Sequence, residues 1–135
     1  MKRNLTVLQA VAVSIMLLPL TIVPAAGGKA SYSCAVSVQY VGSPVTSFAV
    51  RTTVSATGRQ LPLFETDFLQ SFKNGLLYDS SREDFAVPHK STTATVTVMV
   101  LAYGPGVYTF GSTVGVVRGS GSFVRLAECS MTAAL

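Results

Sequence analysis

Two cysteines and one histidine are the side chains of this 135-residue chain best suited to chemistry. Cys34 and Cys129 stand 95 positions apart. In an oxidising compartment two cysteines should pair as a disulfide, and the N-terminus points to such a compartment. Lys2 and Arg3 precede an apolar run over residues 5–23, and small residues follow. That order is the charged region, apolar region and cleavage region of a secretory signal. Residues 1–25 are therefore expected to be a signal peptide, cut after Ala25 or as late as Ala30. A secreted or periplasmic protein with a Cys34–Cys129 disulfide is the expectation. The competing reading is a retained anchor, since the run is of borderline spanning length. Thr6, Gln9, Ser14, Pro19 and Thr21 interrupt it, and no basic stop-transfer cluster follows. Cleavage is favoured, with no membrane contact afterwards.

His89 has little to work with. On paper Ser80 or Ser91 and Asp84 complete a triad, but no nucleophile-elbow motif is present. A solvated loop histidine is the simpler reading. Zinc needs three or four ligands, and the cysteines are committed elsewhere. Asp79, Glu83 and Asp84 offer oxygens to calcium, without the alternating spacing and central glycine of a calcium loop. Gly111, Gly115, Gly119 and Gly121 are not followed by the Gly-Lys-Ser/Thr of a phosphate cradle. They suit turns and close packing in strands. No catalytic residue, no metal and no cofactor is expected, and the chain is not expected to be an enzyme.

The elements that carry these residues are strands. In residues 32–41, Cys34, Val36, Val38 and Tyr40 share a face. In residues 46–57, Phe48, Val50, Val54 and Ala56 do the same; in residues 92–103, Ala94, Val96, Val98, Val100 and Ala102. Period-two alternation of this kind marks half-buried strands. Residues 61–75 break the pattern. Phe64, Phe68, Leu69 and Phe72 fit helical spacing and Asn74-Gly75 fits a helix stop, so a short helical segment is expected near residues 64–73. Residues 79–91 are expected to be a loop. The fold class is all-β: a small antiparallel two-sheet sandwich, immunoglobulin-like, over residues 31–135, with the disulfide joining first and last strands.

The net charge of +4 includes the two cations of the signal. The other basic residues are scattered, no two of them adjacent, so no nucleic-acid partner is expected. Residues 91–117 carry no charge at all. They are expected to form a hairpin whose outward side carries Thr95, Thr97, Met99, Leu101 and Tyr103. That side is either covered within the domain or is a protein interface. The expected function is protein binding or self-association, as an exported accessory or structural subunit of a cell surface or fibre. The alternative is an inhibitor or chaperone-like module acting on one partner. The plan is similar to that of exported accessory proteins of bacterial surface fibres, with no shared motif and no residue role carried across.

Overall fold

A computed structural model describes residues 31–135. The expected signal and its cleavage sites lie outside the described residues. Seven strands follow one another: β1 Ser31–Val41, β2 Ser47–Thr57, β3 Phe64–Lys73, β4 Leu76–Ala86, β5 Thr93–Leu101, β6 Val107–Val117 and β7 Phe123–Ala134. They form two antiparallel sheets, ordered β1-β2-β5 and β4-β3-β6-β7. This is an immunoglobulin-like sandwich whose fourth strand edges the larger sheet.

Three sequence expectations need correction. Residues 64–73 are strand β3, not a helical segment. Asn74 and Gly75, at φ of 51° and 85°, form the β3–β4 hairpin turn. Two positive φ values suit a type I′ connection, for which Asn-Gly is the strongest signal. Residues 79–86 belong to strand β4 rather than a loop. Residues 91–117 are not a hairpin, because β5 and β6 lie in opposite sheets and the 104–106 turn crosses between them.

The inner faces are the expected ones for β1, β2 and β5. Val36, Val38, Phe48, Val50, Val54 and Val100 are buried, and Leu69, Phe110, Val114 and Met131 meet them from the other sheet. Phe48 centres this core, its ring 4.7 Å from Tyr108 and 5.1 Å from Phe110. Tyr108 also holds the crossing. Its hydroxyl donates to the Gly104 carbonyl at 2.7 Å and accepts from the Tyr103 N–H at 2.9 Å. This is a tyrosine corner, a device of immunoglobulin-like sandwiches. Removing the hydroxyl leaves a part-buried amide and carbonyl without their partner. Tyr108→Phe should lower stability by about 1–3 kcal/mol in a denaturant titration.

The two sides of the sandwich are closed differently. β1 and β7 are edge strands of different sheets, joined by the Cys34–Cys129 disulfide with Cα atoms 5.8 Å apart. The Tyr40 hydroxyl donates to the Ala134 carbonyl on the same side. On the opposite side β4 and β5 share no ladder. There the Tyr78 hydroxyl donates to the Leu101 carbonyl at 2.9 Å. Burial, and then the neighbouring Tyr108, hold the Tyr78 phenol above its ordinary pKa, so it remains a donor.

Candidate functional site

The feature that stands apart is the free edge of β5. Its orientation follows from the β2–β5 register, which runs without a shift from Ser47↔Leu101 to Ser55↔Thr93. At the two ends Ala102 donates to Thr46 and Ala56 donates to Thr92. Opposed residues in an antiparallel pair alternate between bonded and non-bonded, so the even-numbered residues of β5 bond to β2. The odd-numbered ones turn their N–H and C=O groups to the open edge. At the ends these are occupied. The Ser91 hydroxyl bonds both backbone groups of Thr93, and Tyr78 caps the Leu101 carbonyl. Between the caps, Thr95, Thr97 and Met99 face outward from the sheet edge.

The other edges are defended. β1 and β7 cover one another under the disulfide. The β4 edge carries Asp79, Arg82, Glu83 and Asp84, and its pairing shifts register at Ser71/Phe72. Charges and bulges are the usual means of blocking strand addition. β5 has neither a charge, a proline nor a register shift.

Apolar side chains are exposed around this edge: Met99 and Leu101 on β5 and Tyr103 just after it, and Leu76, Leu77 and Val107 on the other sheet, each between 48% and 74% exposed. Tyr78 packs edge-on against Tyr103 with ring centres 5.7 Å apart, and Asn74 exchanges hydrogen bonds with Val107. Lys73 Nζ donates to the Tyr103 carbonyl. Thr95, Thr97, Met99, Leu101 and Tyr103 thus sit outward and exposed, in the expected register. Among the described residues nothing covers that side. Sequence reasoning missed Leu76, Leu77 and Val107. The Asn74-Gly75 dipeptide was the signal that would have brought them in.

Sequence reasoning also missed two buried carboxyls. Glu65 and Asp67 point inward from β3 and are 2% and 1% exposed. Glu65 faces Phe85 across the β3–β4 ladder, and among the described residues neither of its carboxyl oxygens has a hydrogen-bond partner. Burial raises its pKa to about 7. Asp67 accepts from Ser112, which accepts from Thr52 at 3.0 Å, a polar chain between the sheets. Burial raises Asp67, the Ser112 and Thr52 bonds counter that, and the Glu83 charge opposite adds to it.

Among the described residues no hydrogen bond joins His89, Asp84, Ser80 and Ser91. His89 is exposed in the 88–90 turn. Asp84 is an exposed strand residue whose carboxyl is held below its ordinary value, first by the Thr66 hydroxyl and then by Arg82. An open depression along β6 and β7 is lined by Tyr32, Gln70, Gly111, Arg125 and Glu128, and it contains no histidine. Among the described residues, no three His, Cys, Asp or Glu side chains are placed to hold a metal ion. Gly115 is a packing glycine: a Cβ there would meet the Val124 carbonyl oxygen at 2.2 Å and the Phe123 ring at 2.6 Å.

No family model matches the sequence, and no curated protein does. Solved structures give distant likenesses. The CARDB domain of the PF1109 protein from Pyrococcus furiosus, in complex with di-metal ions, is 13% identical, with a TM-score of 0.42 over 77% of this chain and 91% of that one. A β-glucosidase from Kluyveromyces marxianus is 13% identical, with a TM-score of 0.38 over 76% of this chain. A protein from Bacteroides fragilis described as a β-galactosidase is 13% identical, with a TM-score of 0.45 over 73% of this chain. This chain spans 15% and 14% of the length of the galactosidase and the glucosidase. At TM-scores below 0.5 these likenesses carry no argument about what the chain does.

Proposed function

We propose that this is an exported, non-catalytic protein that works by protein binding, as an accessory or structural subunit of an extracytoplasmic assembly. The observation that carries this is the undefended β5 edge with apolar side chains beside it. A free edge offers backbone hydrogen bonds to an incoming strand, and neighbouring side chains supply affinity and selectivity. The disulfide and the signal-like N-terminus support an oxidising compartment outside the cytoplasm.

Photo-crosslinking of the exported protein in its native envelope tests this. A photoreactive residue replacing Leu101 should give a protein adduct; one replacing Ser130, on β7 of the other sheet, should not. Leu101→Lys should keep a melting temperature within a few degrees of wild type, because the side chain is already exposed. It should also weaken capture of the adduct partner tenfold or more. A folded Leu101→Lys variant that binds as well as wild type would reject the proposal.

A further inference from the structure

We infer that the strand received by β5 is the β5 of a second copy, paired antiparallel about a two-fold axis through Thr97. This rests on β5 being the binding edge and goes beyond it by naming the occupant. The open backbone groups belong to odd-numbered residues, so a self-pairing must set odd against odd, and of the axes that do so only the one through Thr97 uses Thr95, Thr97 and Met99 without the capped Thr93 or Leu101. Thr97 is the middle residue of Thr93–Leu101 and meets that condition. Thr97 then bonds its own copy across the axis, and Thr95 bonds Met99 of the other copy on either side. The segments capped by Ser91 and Tyr78 fall at the two ends, where no further bonds are needed.

The side chains suit the same register. On the outward face Met99 falls opposite Thr95 of the other copy, and Leu101 opposite Thr93, large against small. On the inward face Val96 falls opposite Val98. Both valines are only half-buried in one copy, so pairing covers them further. No charge of β5 meets a like charge, because β5 has none. The two three-stranded sheets become one sheet of six. A closed two-fold contact of this kind uses each edge once and does not propagate. Its area is one strand edge with a few apolar side chains, below the roughly 800 Å² per partner of a standard interface. A weak dimer follows, with Kd on the order of 1–100 μM.

Sedimentation velocity on the exported, disulfide-bonded protein tests this from about 1 to about 500 μM, a range that brackets the expected Kd. Monomer at the low end and dimer at the high end are expected. Thr97→Pro deletes the N–H at the axis while sparing the bonds to β2. Thr97→Lys sets two charges against each other across it. Each variant should weaken dimerisation tenfold or more with a near-normal melting temperature, and Ser130→Lys should leave it unchanged. If the proline variant fails to fold, the lysine variant decides. A wild-type protein that stays monomeric throughout, species larger than a dimer, or Thr97 variants that dimerise normally would each overturn self-pairing. A Leu101 adduct with a different protein would then still support β5 as a binding edge.

Discussion

Removing the Cys34–Cys129 crosslink should cost about 4–5 kcal/mol of stability, the chain-entropy figure for a closed loop of this length. The geometry explains why the loss is concentrated. β1 and β7 share no ladder, so among the described residues the disulfide and the Tyr40–Ala134 hydrogen bond are the bonds that tie the two sheets on that side of the sandwich. Both cysteines are buried and are replaced best by alanine, which adds no unpaired polar atom. The doubly substituted Cys34→Ala/Cys129→Ala protein should melt about 20 °C or more below wild type. With typical domain stabilities of about 5–15 kcal/mol, that leaves a marginal fold. Calorimetry of the disulfide-bonded wild type and the double variant checks this. A difference of a few degrees would mean that sheet packing alone holds the β1–β7 side.

The second large effect is a dependence on pH. Glu65 has its folded pKa raised to about 7 from an ordinary value of 4.5, by burial. No charged group faces it on β4, where Phe85 is its neighbour; Asp67, two residues along on the same face, is itself raised. At pH below 4.5 both folded and unfolded chains hold the proton, and burial has no ionisation cost. As pH climbs towards 7 the unfolded chain releases its proton while the folded chain keeps it, so stability falls. Above that point the loss levels at about 3 kcal/mol for Glu65. Melting temperature should therefore drop by about 10–20 °C between pH 5 and pH 8. Glu65→Gln should flatten most of that drop, leaving the smaller part owed to Asp67. A melting temperature that rises over the same range in wild type would contradict the buried, unpartnered state of Glu65.

The frame of the fold was legible because the inner faces of β1, β2, β5 and β6 alternate in the usual sense, apolar in and polar out. β3 was not, for two physical reasons. Phe64, Phe68 and Phe72 are four residues apart, a spacing that suits a helical turn and is also a multiple of the strand period. The inward face of β3 carries Glu65, Asp67 and Ser71, so its polarity is reversed and the burial signal is inverted. The Asn-Gly dipeptide was the local evidence that could have decided for a hairpin. Reading it as a helix stop also hid β4 and with it Leu76 and Leu77. The exposed register of Thr95, Thr97, Met99, Leu101 and Tyr103 could be read from alternation alone. Whether β5 has a neighbour on both sides could not, because strand order depends on which sheet the 104–106 turn enters.

Amide hydrogen exchange along β5 tests the central claim most directly. In the dilute monomer the amides of Val96, Val98 and Val100 should be protected by β2, while those of Thr95, Thr97 and Met99 exchange freely. On raising the protein concentration, or on adding a partner captured through Leu101, the odd-numbered amides should become protected and the even-numbered ones should change little. Odd-numbered amides that still exchange freely in the associated state, with new protection appearing on another strand, would contradict the account.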